Sequence, residues 1–225
     1  MQKNISVIVV VNNNSELLKK AIWSYNTQAF RNFEMIIVNQ NYDETISKSI
    51  TSIAKEVFFP IIYLDSNSEN AKEDFLKNAV EKSTTNYILF TTSDCIARPD
   101  FVEEHIKNRV EGCYLNGSFI SIDKSTETAI TKEILYASDC FNFKWLQSNG
   151  LTFVKSFKAS YSGLWNTFFD MMFSKNDISL ENLSGWKSDF MKIKNFSNFK
   201  NSDFNAIELK SKSIRCKSVL LKPKQ

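Results

Sequence analysis

The stretch "SVIVVVNNNSELLKKAIWSY", Ser6 to Tyr25, opens on an unbroken run of β-branched residues. A strand with one wet face would alternate apolar and polar positions; a continuous run predicts a strand covered on both faces, as in a parallel sheet. A helix is expected next. Asn13 is the expected cap with Glu16 as its box partner, and Leu17, Leu18, Ala21, Ile22 and Tyr25 then recur at helical spacing.

The same unit repeats along the first half. "FEMIIVN" (Phe33 to Asn39) predicts a second strand, followed by Ile46, Ile50, Ile53 and Val57 at helical intervals. "IIYLD" (Ile61 to Asp65) predicts a third, followed by Ala71, Phe75, Leu76, Ala79 and Val80. "YILFTT" (Tyr87 to Thr92) predicts a fourth, and after Pro99 a helix with Asp100 as cap and Glu103 as box partner. Strands alternating with helices imply a right-handed α/β sheet over the first 110 residues.

Ligands of such sheets bind outside the carboxyl ends of the strands. Those ends are Val11 to Asn14, Asn39 to Asp43, Asp65 to Asn67 and Thr92 to Cys95, and Asp94 reads there as an exposed carboxylate closing a buried strand. No Gly-rich loop follows the first strand, which argues against a dinucleotide site or a P-loop.

The chain has 225 residues, 43% of them hydrophobic, enough for a sizeable core in one domain. Its net charge of +3 is unevenly spread: between Ser184 and Gln225 ten Lys and Arg stand against three Asp and Glu. That is a basic tail on a mildly acidic body, read as a solvated face and short of a nucleic-acid footprint. Cys95, Cys113, Cys140 and Cys216 show no paired spacing, so a reduced, cytoplasmic protein is expected. The apolar run near the start is too short for a secretory core or a span.

Beyond Gly112, "CYLNGSFISI" alternates like a strand, and Leu151 to Phe173 is dense in aromatics with Lys155 and Lys158 among them. This segment is either a core helix and loop or a flap at an acceptor or membrane surface. His105, in a charged helical segment, reads as a surface residue, and Cys95 as a small buried one.

Taken in order, three stretches resemble the family 2 glycosyltransferases of the GT-A fold, of the bacterial surface-polysaccharide and lipopolysaccharide-core type. They are "ISVIVVVNNNSELLKKAIWSYNTQAFRNFEMIIVNQ", "NYILFTTSDCIARPDFVEEHIKN" and "LENLSGWKSDFMKIKNFSNF". The resemblance implies an α/β, Rossmann-like nucleotide-diphospho-sugar transferase fold with a mostly parallel central sheet flanked by helices. It implies one GT-A-like domain over 1–225, with 1–110 the nucleotide-binding half and 111–225 the acceptor half carrying the basic tail.

The resemblance also assigns residues. Val11, Asn12, Asn39, Asn41, Thr92, Ser93 and Asp94 fall on the nucleotide-sugar site, with Asn39 where the family places an aspartate against the nucleobase. Trp186 and Asp189 fall on the acceptor side. The metal-binding DxD motif falls on Thr92-Ser93-Asp94, leaving Asp94 as the surviving ligand for Mn or Mg with the ligand set depleted. The acidic base motif falls on Lys200-Asn201-Ser202-Asp203, with Asn201 and Asp203 the catalytic candidates, and the family's C-terminal histidine has no counterpart.

Two functions follow as expectations. One is transfer of a sugar from a UDP- or GDP-linked donor to a saccharide, lipid-linked or peptide acceptor. The other is a catalytically inactive, glycosyltransferase-like binding module for a partner protein, peptide or sugar nucleotide. Neither involves nucleic acid, and membrane contact would be peripheral at most.

Overall fold

A computed structural model describes residues 3–41, 43–65, 75–161, 179–193 and 212–224, with the backbone alone for 212–219. The expected βα repeat is present: β1 (Ile5–Val10), α1 (Ser15–Asn26), β2 (Phe33–Asn39), α2 (Glu44–Ile53), β3 (Ile61–Asp65), α3 (Phe75–Lys82) and β4 (Tyr87–Thr92). β1 lies parallel between β2 and β4, with Val9 opposite both Ile37 and Thr91, and β3 extends the sheet beyond β2.

All six residues of β1 are buried, and they alternate between two cores. Ile5, Val7 and Val9 face one cluster with Leu18, Ile22, Tyr25, Ile46 and Ile50. Ile8 and Val10 face another with Leu76, Val80 and Phe90. Each such side chain stabilises by about 1.5–3 kcal/mol on burial, so the apolar run is what makes β1 an interior strand covered on both faces.

The second half adds antiparallel strands to this parallel one. β5 (Ile96–Ala97), α4 (Phe101–Asn108) and β6 (Cys113–Ile122) come first, then the short helices α5 (Lys124–Ala129), α6 (Lys132–Ala137), α7 (Phe143–Ser148) and α8 (Phe153–Ser160). A 3-10 turn (Leu180–Asn182) leads into β7 (Leu183–Trp186), followed by α9 (Lys187–Phe190) and β8 (Lys212–Pro223). The sheet order is β3-β2-β1-β4-β7-β6-β8-β5. β7 runs antiparallel to β4 and β6, β8 is parallel to β6, and β5 is antiparallel to β8.

Two expected caps differ. Asn14, not Asn13, caps α1, its Oδ1 accepting from the backbone N–H of Glu16 and Leu17. Asn13 has φ +44°, a turn conformation that asparagine tolerates, and this leaves Asn14 extended in the capping position. Asp100 precedes α4 but makes no side-chain cap bond. Its two oxygens instead accept from Arg98 Nε and Nη2, both at 2.7 Å, because a nearly buried guanidinium needs a bidentate anion more than the helix end does. Arg98 also donates to the carbonyls of Ala159 and Tyr161, fastening the end of α8.

Of the aromatic stretch, residues 151–161 are described. α8 buries Ser156 and Ala159, the latter in a third core cluster with Ile96, Ile120, Leu146 and Leu221, while Phe153 and Tyr161 stand exposed. Among the described residues no helix is long and apolar enough to cross a membrane.

Candidate functional site

The carboxyl ends of β1, β2 and β4 share one edge of the sheet, and Ser93 ties two of them together. Its Oγ accepts from the N–H of Asn12 at 2.8 Å, while its own N–H donates to Val10 O at 2.8 Å. The loop after β1 is thereby held against the turn after β4. Val11 is nearly buried and bonded to β2 through Val38 O, whereas Asn12 and Asn41 are exposed at the rim.

Asn39 ends β2 fully buried. Its Nδ2 donates to the Tyr63 hydroxyl at 3.2 Å, and its Oδ1 has no partner among the described residues. An unpaired buried carbonyl costs about 1–3 kcal/mol, so this atom is a place where a ligand's N–H would be rewarded.

Asp94 is not the exposed carboxylate its sequence position suggests: it is 4% exposed. Cys95 N–H closes a turn onto Thr92 O at 3.1 Å, folding Asp94 back over its neighbours. Thr92 Oγ1 donates to Asp94 Oδ1 at 2.6 Å. The other oxygen, Oδ2, lies 3.7 Å from Lys222 Nζ. Lys222, near the end of β8, also reaches Glu181 Oε1 at 2.6 Å and sits 5.1 Å from the centroid of the Phe119 ring.

Burial works against the charge on Lys222, yet the hydrogen bond and charge of Glu181, with Cys95 and Asp94, hold its pKa above the ordinary lysine value. Lys222 is therefore a fixed ammonium and not part of a solvated basic face, as the tail composition implied. Cys95 is fully buried, as expected, and burial, with the adjacent Asp94 charge, pushes its thiol up to about 12.

The expected surface histidine is interior. His105 is 0% exposed, with Nδ1 2.7 Å from Ser184 Oγ and Nε2 3.0 Å from Asn182 Oδ1. α4 is amphipathic, and His105 falls on its inner face beside Phe101 and Val102. Burial pushes its pKa down to about 3 against the opposing pull of Asn182. Asn182 in turn donates to Ser118 O, so the imidazole braces the turn that carries Glu181.

Trp186 and Asp189 lie elsewhere. β7 runs antiparallel to β4, with Trp186 opposite Tyr87 at the start of that strand. They therefore sit at the amino edge, about 20 Å away along a six-residue strand at ~3.3 Å per residue. There Trp186 donates to Val110 O and, with Lys3, Asn4, Asn86 and Arg109, lines an open cleft of about 230 Å³. Asp189 pairs with Lys192. Asn201 and Asp203 lie outside the described residues.

The divalent ion that the family resemblance implies does not fit the donor set as it stands. A hard cation of this kind takes six or more oxygens, carboxylates foremost. Here one oxygen of Asp94 is taken by Thr92, the other faces an ammonium, and Glu181 is bonded to that same ammonium. Among the described residues no group of three or more His, Cys, Asp or Glu could hold a metal.

Sequence reading singles out none of Lys222, Glu181 and Asn182; it takes the tail lysines only as a group that could offset a diphosphate charge in place of metal. The available signal was a lysine directly after the apolar Val219–Leu221, where a charge beside a buried run calls for a partner.

Residues 6–173 match the family model "Glycosyl transferase family 2". The chain is 32% identical over 108 residues to Glycosyltransferase GlyA of Streptococcus pneumoniae serotype 4, covering 48% of this chain and 15% of that relative. The fold is similar to that of mannosyltransferase PcManGT from Pyrobaculum calidifontis, solved with GDP-Man and Mn2+, at TM-score 0.60 and 10% identity over 99% of this chain and 57% of that one. It is also similar to glucosyl-3-phosphoglycerate synthase from Mycobacterium tuberculosis, solved with phosphoglyceric acid, at TM-score 0.53 and 11% identity, covering 99% of this chain and 73% of that one. A family model spanning most of the chain, on a sheet whose carboxyl edge carries Thr92-Ser93-Asp94, makes this protein a member of glycosyl transferase family 2 with the GT-A fold.

Proposed function

We propose that this chain is a single GT-A-like domain that binds a UDP- or GDP-linked sugar at the carboxyl edge of β1, β2 and β4. It passes the sugar to a saccharide, lipid-linked or peptide acceptor. The observation that carries the reading is the Ser93 clamp, which ties the loops after β1 and β4 together at that edge. There Asn39 offers a carbonyl without a hydrogen-bond partner among the described residues, suited to a nucleobase N–H, and Val11, Asn12 and Asn41 form the rim. Asn201 and Asp203 remain the candidates for activating the acceptor hydroxyl, Asp203 as base.

A second reading is favoured by the contact between Lys222 and Asp94. With the surviving acidic ligand committed to a lysine, the domain can bind a sugar nucleotide, peptide or partner without transferring anything.

Isothermal titration with UDP and GDP, followed by a donor-hydrolysis and acceptor-panel assay, separates them. Binding that Asp94→Asn weakens, with turnover, supports transfer. Binding without turnover across the panel supports the silent module. Titrations without heat for either nucleotide overturn the donor site.

A further inference from the structure

Two carboxylates from different parts of the chain converge on one ammonium. Asp94 comes from the turn after β4, Glu181 from the 3-10 turn before β7, and Lys222 from the end of β8. Lys222 Nζ is 2.6 Å from Glu181 Oε1 and 3.7 Å from Asp94 Oδ2, and the three side chains are 12%, 20% and 4% exposed in the order Lys222, Glu181, Asp94. All three lie at the carboxyl edge. Ser121 pairs with Lys222 in β6 and β8, and Ile96 with Leu221 in β5 and β8, which brings Lys222 beside the turn holding Asp94.

A pair of carboxylates facing a common point is the arrangement a hard divalent cation takes. A lysine between them satisfies the same two charges without metal, because an ammonium is a compact point charge with three donors. Here one hydrogen bond goes to Glu181 and a longer ion pair to Asp94, and a further N–H of the ammonium is the donor an anion would meet. The substitution also changes the charge. Two carboxylates with a divalent ion sum to zero, whereas with an ammonium they sum to −1, so a diphosphate meets one positive charge fewer.

We infer that Lys222 is a built-in cation standing between Asp94 and Glu181 where a divalent ion would otherwise be held, so that this site excludes Mn2+ and Mg2+ and meets phosphate with its own ammonium. The phosphate part of the inference rests on reading the carboxyl edge as the donor site. The exclusion of metal does not.

The test is titration of the full chain with MnCl2 alone, followed by the electron paramagnetic resonance of free Mn2+, on the native protein, Asp94→Asn, Lys222→Met and Lys222→Met/Asp94→Asn. Methionine keeps the aliphatic stem over Phe119 and removes the charge. The expected result is no Asp94-dependent Mn2+ binding in the native chain, a gain of at least about tenfold in Mn2+ affinity in Lys222→Met, and its loss in the double variant. Where Lys222→Met lowers stability, the same contrast is read as a melting temperature that Mn2+ raises in the variant and not in the native chain. Native binding of Mn2+ that Asp94→Asn abolishes overturns the inference, and so does a Lys222→Met variant that gains none.

A second arm titrates UDP and GDP into the native chain in EDTA and in Mn2+. Equal affinity in both supports the lysine. Binding that requires Mn2+ overturns the inference and leaves the donor site standing. Gain of Mn2+ by Lys222→Met with no nucleotide binding anywhere supports metal exclusion and overturns the donor site.

Discussion

His105 Nε2 lies 3.0 Å from Asn182 Oδ1, and Asn182 is the immediate neighbour of Glu181, the residue bonded to Lys222. A buried imidazole under α4 thus fixes the turn that presents a carboxylate at the edge of the sheet. The ring's other nitrogen is bonded to Ser184, which also contacts the Tyr87 hydroxyl at 2.9 Å. The site and the interior are joined by one polar network.

That network makes stability depend on pH in a defined window. His105 is held neutral in the fold, with its pKa pushed down to about 3, and the unfolded chain takes up a proton near the ordinary value of 6.5. The contribution is complete above about pH 6.5 and is lost as pH falls toward 3, at about 1.4 kcal/mol per pH unit. His105 is the sole histidine of the sequence. Denaturant unfolding between pH 7 and 4.5 is expected to show this slope in the native chain, and His105→Gln is expected to flatten it while lowering stability at pH 7.

Gly117 leaves room for the same network. A Cβ there would stand 2.2 to 2.5 Å from side-chain atoms of Asn182. Gly117→Ala is expected to cost about 1–3 kcal/mol by displacing the amide. Its unfolding curve should also lose part of the His105 slope, which a mere loss of packing elsewhere would not do.

Arg98 joins α8 to the sheet through Asp100 and two backbone carbonyls. Arg98→Lys keeps the charge and loses the fork, with an expected loss of about 1–3 kcal/mol. Arg98→Ala removes the hydrogen bonds to both carbonyls and to Asp100 together and is expected to lose more, about 3–5 kcal/mol. Thermal melting measures the order, and equal melting temperatures for the two variants would contradict a bidentate role.

The thiols of Cys95 and Cys140 are pushed up to about 12 by burial, with the neighbouring acidic charge adding to it. Neither is expected to alkylate at pH 8 while the chain is folded. Mass mapping of iodoacetamide adducts before and after guanidinium unfolding checks this, and native labelling at Cys95 would mean that the turn after β4 opens.

What could be read from the sequence follows the range of the forces involved. The run from Val7 to Val11, and the spacing of Leu18, Ala21, Ile22 and Tyr25, fixed a buried strand and its helix because periodicity acts within one or two turns of chain. Capping was less legible at Asn13, where one backbone torsion moved the role to Asn14, and at Asp100, where a charged neighbour outcompeted the helix end. His105 looked like a surface group because its helix is charged, yet only packing decides which face of an amphipathic helix turns inward.

The sequence by itself determined the parallel half of the sheet and the edge at which Thr92, Ser93 and Asp94 gather, since both depend on neighbours in the chain. Only the tertiary structure decided that Asp94 is buried and faces Lys222, 128 residues later. It also sent Trp186 to the far edge, because β7 enters the sheet antiparallel to β4. Ion pairs and burial are set by which strands become neighbours, and β8 reaches Asp94 only after the chain has returned to pair with β6 and β5.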